Sequence, residues 1–382
     1  MKGFLLILSL LITCNLCAAS KVVDGSLIAA EKQQLHKRID KLNDAAYNIY
    51  LSSPDSARKL AENALLLSEK NNYQLGKGRS FYNIGLIYWS QSYYTISLFY
   101  LNSAANNLPK DSKAYLSDCF NALGRTYADL GNYTQAMIDL NKSLELAGND
   151  TWRLAEVFSE KSYVYSALKN YPKAIADAQY ALTLNSKIHS TGDIAVLYAR
   201  LAGIYKSKGD FKNALFYDDI AFEMSKTTGN KRLRAKTYIE YALINNSLNK
   251  YSEAIDYAQK GIALADSIGL IDAQKEGYKS LVNSFELRND LKQALAYQKK
   301  YSILSDSISK SSKLKTAKLI QNYHTLNAKI NDIKRMEIGD RENKAKIKAQ
   351  TNLILFLSIS LVVLIAALFT TWYLYKQKQL RV

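Results

Sequence analysis

The sequence predicts an all-α protein: a superhelical solenoid of about seven helix pairs, followed by a helical linker and one transmembrane helix. Three observations lead to this prediction. The 382 residues include only 3 prolines and 16 glycines, a composition that favours helix almost throughout. A short motif centred on an alanine recurs at nearly constant spacing, and a long uncharged apolar run lies near the C-terminus. Regular repetition of this kind is typical of solenoids, which grow by adding units.

A secretory signal peptide is predicted over residues 1–19. Lys2 precedes a short apolar run over residues 4–12, and small residues ending in Ala18 and Ala19 follow it. The run is too short for a comfortable membrane span, which favours cleavage after Ala19. The alternative is a lipoprotein, because residues 11–14, ending in Cys14, loosely resemble a lipidation box.

The solenoid is predicted over residues 38–310, preceded by an N-terminal helical cap over residues 20–37. Five segments of the type Asn132-Tyr-Thr-Gln-Ala136 can be aligned. Their alanines are spaced 38, 40, 40 and 40 residues apart, at Ala136, Ala174, Ala214, Ala254 and Ala294. Each segment opens an amphipathic helix and follows a short turn, so each repeat is predicted to be a pair of helices that buries its apolar face against its neighbours.

Two of these helices carry a more specific pattern. Phe81-x-x-Ile84-Gly85-x-x-Tyr88 and Phe120-x-x-Leu123-Gly124-x-x-Tyr127 resemble the first helix of the tetratricopeptide repeat family. This resemblance implies a right-handed superhelix of seven such repeats, which in the family's 34-residue frame begin near residues 38, 78, 117, 155, 195, 235 and 275. The longer period observed here predicts either an extra helical turn or a longer loop in each repeat.

The resemblance also implies a binding surface. In the family, the second, fifth, ninth, twelfth and thirteenth positions of the repeat line the concave face. Carried over to this sequence, they predict a partner-binding groove formed by Tyr82, Leu86, Trp89, Asn121, Arg125, Tyr163 and Lys206, with Ser159, Asn246, Lys279 and Asn283 at the remaining equivalent positions. Aromatic, Asn and Arg side chains suit an extended peptide, which they bind by stacking and hydrogen bonding. The alternative for Leu86 and Trp89 is that they pack inside the solenoid.

A basic helical linker is predicted over residues 311–350. Residues 310–348 contain eleven basic and four acidic residues, a net charge of +7. Five apolar residues alternate at steps of four and three, which is coiled-coil spacing sustained for only two heptads: Leu319, Tyr323, Leu326, Ile330 and Ile333. The segment is therefore either a solvated linker or a short coiled coil through which two copies form a homodimer.

The transmembrane helix is predicted over residues 351–375, with a cytoplasmic tail at 376–382. No charged residue occurs between Ala349 and Tyr375, and Trp372, Tyr373 and Tyr375 form an aromatic belt at one end. An exported N-terminus followed by a stop-transfer helix predicts a single-pass protein of the cytoplasmic (inner) membrane. The repeats would then lie on the periplasmic, or extracytoplasmic, side.

The sequence predicts no enzymatic activity, no metal site and no cofactor. His36, His189 and His324 have no acidic or cysteine partners at ligand spacing, and Cys119 is the one cysteine outside the predicted signal peptide. The formal net charge of +17 could suit nucleic acid, but an exported domain argues against that partner. We interpret the charge of the linker as facing anionic lipid.

The predicted function is therefore that of a membrane-anchored tetratricopeptide protein that binds a peptide or protein partner as a sensor or adaptor. The layout resembles the exported input half of bacterial membrane-bound regulators of this family. The alternative is a static envelope scaffold or assembly factor, in which the membrane helix is only an anchor.

Overall fold

The computed structural model describes residues 30–379, without the side chains of 307–334, 337, 341, 373–375 and 377–379. The predicted signal peptide, the first part of the predicted cap and the last three residues of the tail lie outside this range. The predicted all-α solenoid is confirmed, because residues 30–379 form helices and turns without a strand. The helices are α1 (30–49), α2 (Pro54–Lys70), α3 (Gln74–Ser90), α4 (Tyr94–Asn107), α5 (Lys113–Asp129), α6 (Tyr133–Ala147), α7 (Thr151–Ala167), α8 (Tyr171–Lys187), α9 (Thr191–Lys208), α10 (Phe211–Thr227), α11 (Lys231–Ser247), α12 (Tyr251–Ser267), α13 (Ile271–Leu287) and α14 (Leu291–Gln379).

Within the described residues, close contacts pair α3 with α4, α5 with α6, α7 with α8, α9 with α10, and α11 with α12. Phe285 of α13 stacks on Tyr297 of α14 in the same way. Counting α1 and α2 as the first pair, these are the second to the seventh pairs. Most helices end at a residue with positive φ, a conformation that glycine and asparagine adopt readily and that stops the helix. Examples are Gly131, Gly209 and Asn249. The next helix often begins with a side-chain cap: Asn132 accepts a hydrogen bond from the backbone N–H of Gln135. These signals keep the connections short, so the pairs stack directly on one another.

The longer period of the repeats comes from the first helix of each pair. Helix α5 begins at Lys113, α7 at Thr151 and α9 at Thr191, each four residues before the start that the family frame predicted. Four residues make about one helical turn. Four of the four to six residues by which each repeat exceeds the 34-residue frame therefore extend the first helices.

The core lies between the two helices of each pair and between successive pairs. The repeated alanines Ala136, Ala174, Ala214 and Ala254 are completely buried. The first helix approaches the second most closely at its glycines, where a Cβ atom on Gly124 would lie 2.6 Å from Cγ of Leu140. Small residues at these contacts allow the close approach that the sequence pattern predicted.

The chain divides into two compact units, one ending at Thr316 and one beginning at Ala317. Helix α14 continues through the second unit. Within residues 30–379, the stretch Ile338–Trp372 is long and apolar enough to cross a membrane, with a mean hydropathy of 2.9 over its most apolar window. None of that window is buried against protein.

Candidate functional site: the inner groove

The first helices of the pairs form the inner layer of the solenoid. Helices α3, α5, α7, α9 and α11 each contact the next first helix along the chain, whereas among the described residues no comparable contact joins one second helix to the next. The first helices therefore lie on the tighter side of the curve. We call the surface that they line the inner groove.

Polar contacts join successive first helices from α1 to α13. They include ion pairs, an indole–carboxylate hydrogen bond and an amide–hydroxyl hydrogen bond. In chain order they are Arg79–Asp40 (2.9 Å), Trp89–Asp129 (2.7 Å), Arg153–Asp118 (2.8 Å), Arg200–Glu160 (3.3 Å), Lys206–Glu240 and Ser284–Asn246 (2.6 Å). Several of these partners are half-buried or buried, so the contacts help to fix the angle between neighbouring pairs.

A cavity of about 50 Å³ opens in the groove between α1, α3, α5 and α7. Four of the predicted groove residues line it: Tyr82, Leu86, Asn121 and Arg125. Oδ1 of Asn121 and Nε of Arg125 are both shielded from solvent, and neither has a hydrogen-bond partner within the described chain. Buried polar atoms are nearly always paired in folded proteins, so this unpaired acceptor and donor mark a place where a ligand can bind.

Trp89 lies beside this cavity and holds Arg125 in place. The Arg125 guanidinium carbon is 3.6 Å from the centre of the Trp89 ring, while the indole N–H donates to Asp129. Leu86 is 1% exposed, so it belongs to the core as well as to the cavity wall. Both residues pack within the solenoid; Leu86 also lines the cavity, and Trp89 contacts Arg125 on the cavity wall.

The remaining two predicted residues lie elsewhere. Tyr163 on α7 is 37% exposed and does not line the cavity; the Arg200 guanidinium carbon lies 5.5 Å from the centre of its ring. Lys206 pairs with Glu240 and borders a second, more open cavity of about 560 Å³. Asn246 and Asn283, which are predicted groove positions of the next two repeats, line that cavity as well.

The groove contains further polar residues that the sequence reasoning missed. They are Tyr50, Glu156, Arg232 and Lys236. Glu156 and Lys236 occupy the second position of the family frame and Tyr50 the thirteenth, so the same frame could have found them. Arg232 lies in the extra first turn of α11, ahead of the frame, and no sequence signal marked it.

The solenoid curves far enough for distant pairs to meet. Ser92, in the turn between α3 and α4, donates a hydrogen bond to Asp272 near the start of α13, and the hydroxyl of Tyr94 lies 3.5 Å from the same carboxylate. The second pair therefore contacts the seventh. The inner groove therefore lies between elements that close on each other.

Charges from both sides of the groove influence one another. Burial raises the pKa of Glu156 to about 7, assisted by Asp193 and Glu160 and opposed by Arg125 and Arg200. Burial lowers the pKa of Arg232, and the positive charge of Arg125 lowers it further, whereas Asp272 opposes the change.

Lys236 behaves like Arg232. Its side chain reaches solvent through the open groove, yet protein surrounds it closely enough that desolvation lowers its pKa, with Arg232 contributing in the same direction. Desolvation in the groove therefore disfavours the charged forms of Arg232 and Lys236.

Among the described residues, no group of three His, Cys, Asp or Glu side chains is placed to hold a metal ion. Cys119 is buried in α5, where burial raises the pKa of its thiol well above the usual range. It packs as a small apolar residue.

Comparison with known proteins confirms the resemblance to the tetratricopeptide repeat family. A family model described as tetratricopeptide repeat matches residues 117–150, beginning at the residue predicted to start the third repeat. Tetratricopeptide repeat protein 29 of Trypanosoma brucei brucei is 25% identical over 126 residues, which make up 33% of this chain and 26% of that protein. The chain therefore matches about a quarter of the length of that relative.

Solved structures share the fold. The Rap conjugation gene regulator of the plasmid pLS20, in complex with the Phr* peptide, is 16% identical with a TM-score of 0.57, covering 70% of this chain and 73% of that chain. The apo form of the quorum sensor NprR from B. thuringiensis is 17% identical with a TM-score of 0.53, covering 73% of this chain and 84% of that chain. At these identities the similarity is one of fold.

Proposed function

We propose that this chain, which belongs to the tetratricopeptide repeat proteins, binds a peptide or a segment of a partner protein in its inner groove. The observation that carries the proposal is the cavity between α1, α3, α5 and α7, where Asn121 and Arg125 present unpaired polar atoms. An extended peptide supplies both N–H donors and carbonyl acceptors at close spacing. Tyr82 beside them offers an aromatic surface of the kind that is enriched at binding hot spots.

Fold similarity supports the proposal without determining the ligand. A solved protein of similar fold is in complex with a peptide, and another is a quorum sensor. Their sequences are too different for residue roles to be transferred. The ligand chemistry of this chain has to come from its own groove.

We further propose that the groove works outside the cytoplasmic membrane, to which one C-terminal helix anchors the protein. The exposed apolar stretch Ile338–Trp372 supports an anchor, and the predicted signal peptide over residues 1–19 supports export. The protein then acts as a sensor or adaptor whose occupancy is relayed through the linker. A static scaffold is the competing role.

Photo-crosslinking in the native host tests the groove directly. p-Benzoylphenylalanine replaces Tyr163, an exposed aromatic residue on the first helix α7. In a matched control it replaces Phe216, which is 57% exposed on the second helix α10. We expect a covalent adduct with a peptide or protein from position 163 and none from position 216.

The outcomes separate the competing roles. An adduct from position 216 alone would place the partner on the convex face and refute the groove. If the adduct at position 163 changes in amount with growth conditions, the sensor is supported, whereas a constant adduct supports the scaffold. Absence of adducts at both positions would contradict binding along this part of the groove.

A further inference from the structure

We infer that two copies of this chain associate along the start of α14, through an apolar ridge formed by Leu291 and Leu295. The ridge belongs to the second helix of the last pair, whereas the inner groove is lined by first helices. The inference therefore goes beyond the proposed function and concerns an interface, not the ligand of the groove.

The repeat shows which side of α14 the ridge occupies. Helix α14 begins at Leu291, 40 residues after Tyr251, the first residue of α12. Leu295 therefore stands at the position of Ile255, which packs against a buried cluster that includes Leu281 of the next helix pair. By this equivalence, the ridge lies on the side of α14 where a following pair would pack.

In the described part of the chain no eighth pair covers this side. Leu291 is 65% exposed and Leu295 is 72% exposed, whereas the equivalent Ile255 is half-buried. At the opposite end of the array, α1 exposes charged side chains instead, which are Lys37, Arg38 and Lys41. A solenoid stays soluble when its terminal repeats have polar outer faces, so the ridge departs from what an uncovered end requires.

The ridge also differs from the apolar residues exposed on other second helices. Those residues stand singly: Phe99 on α4, Ile138 on α6 and Phe216 on α10. Scattered apolar residues of this kind are normal on protein surfaces. Leu291 and Leu295 are four residues apart, so their side chains are neighbours on one face of the helix and form a continuous surface.

The charges around the ridge suit a second copy of the chain. Two acidic and two basic side chains are exposed on either side of Leu291, and they are Glu286, Arg288, Asp290 and Lys292. Their charges cancel, although the whole chain carries a formal net charge of +17. Two identical, strongly basic molecules repel each other least where the local charge is zero. A twofold axis then places the same ridge on both copies.

The sequence phase of the ridge matches that of the linker. Leu291 and Leu295 precede Leu319 and Tyr323 by 28 residues, which is four heptads. The seam positions between them carry Gln298 and then only Ser or Thr, which are small enough to let two helices approach. The predicted coiled coil of the linker and the ridge can therefore belong to one seam between two α14 helices.

Membrane anchoring favours this pairing over an encounter with a soluble partner. Two copies anchored by their C-terminal helices are parallel in one bilayer, and tethering raises their effective concentration. This step rests on the proposed anchor. The exposure, the charge and the sequence phase of the ridge do not depend on it.

Cysteine crosslinking of the full chain in the membranes of its host tests the interface. Leu291→Cys and Leu295→Cys are each oxidised with copper phenanthroline, and a covalent dimer appears as a product of twice the mass of the chain. Phe216→Cys is the matched control, because Phe216 is an apolar side chain with 57% exposure on another second helix. The unmodified protein, in which Cys119 is buried, gives the background.

We expect a dimer from position 291 or 295 and only the background from position 216. An equal product from position 216 would indicate random collision and overturn the inference. A product that contains a different protein, or no product above background at either ridge position, would overturn it as well. Tyr323→Cys separates the linker from the ridge, because a dimer from position 323 alone would confine the contact to the linker and reject the ridge.

Charge substitution gives a second measurement with purified full-length protein in detergent. Both leucines are exposed, so Leu291→Glu and Leu295→Glu should leave the helix content measured by circular dichroism unchanged. Each should raise the dissociation constant of the dimer about tenfold or more, because a twofold interface loses the buried side chain twice. Phe216→Glu should leave this constant unchanged. Equal constants for the ridge variants and the unmodified protein would refute the inference.

Neither experiment involves the groove or its ligand. Failure of the crosslinks at positions 291 and 295 would leave the proposed peptide binding intact. Failure of the photo-crosslink at position 163 would leave the dimer intact, so the two proposals can be rejected separately.

Discussion

The close packing of α5 against α6 can be tested by adding a single methyl group at Gly124. A Cβ atom there would lie 2.6 Å from Cγ and 2.9 Å from Cδ2 of Leu140, and 3.1 Å from the backbone oxygen of Ala136. The Leu140 side chain is completely buried, so it has little room to move, and the backbone oxygen has less. Gly124→Ala should therefore force the two helices apart.

The magnitude follows from two opposing effects. Replacing Gly by Ala inside a helix stabilises it by about 1 kcal/mol. Overpacking a well-packed core destabilises it by roughly 1–3 kcal/mol. Gly124→Ala is thus expected to lower the free energy of unfolding by between about zero and 2 kcal/mol. Because this interval includes zero, the experiment needs a matched control.

Gly203 provides that control. It lies inside helix α9, and a Cβ atom there would meet nothing within 4 Å. Gly203→Ala should therefore show the helix gain alone, roughly 0.5–1 kcal/mol of stabilisation. Because the propensity contribution is shared, the difference between the two variants isolates the overpacking, about 1–3 kcal/mol.

Hydrogen exchange measured by mass spectrometry on the full chain is the appropriate assay. Repeat proteins open locally, so the free energy of opening is read from peptides covering α5–α6 for one variant and α9–α10 for the other. In a Leu140→Ala background the added methyl group at Gly124 should no longer destabilise. If Gly124→Ala protects α5–α6 as much as Gly203→Ala protects α9–α10, the described helix contact is wrong.

Two further predictions concern the core and the topology. Asp218 on α10 is completely buried, and both of its carboxylate oxygens are unpaired in the described chain. Burial raises its pKa to about 9. Glu240 and, to a smaller extent, Asp219 add to this increase, whereas Lys206 opposes it. Between these pH values the native state keeps a proton on Asp218 that the unfolded state loses, so the free energy of unfolding should fall as the pH rises from about 4 to about 9. Hydrogen exchange of α10 measures this dependence. Asp218→Asn should flatten it. An unchanged slope would contradict the burial. For the topology, alkaline phosphatase should be active when fused after Ser309 and inactive when fused after Val382, because the proposed topology places only the first fusion outside the cytoplasm. The reverse pattern would refute the predicted export.

The sequence by itself determined the repeating unit. Alanines at near-constant spacing and the glycines Gly85 and Gly124 mark where paired helices touch, and these contacts depend on residues close in the chain. For the same reason the family frame located Tyr82, Asn121 and Arg125, which the structure gathers around one cavity. Local helix geometry and packing between neighbouring repeats are sufficient for such inferences.

Only the tertiary structure decided which repeats face one another. The hydrogen bond from Ser92 to Asp272 joins helix pairs that are far apart in sequence. The curvature that brings them together is the sum of small rotations from one pair to the next. Two features contribute to those rotations: the extra first turn of each first helix, and the polar contacts between successive first helices. The sequence of a single repeat does not reveal the sum of the rotations over seven repeats.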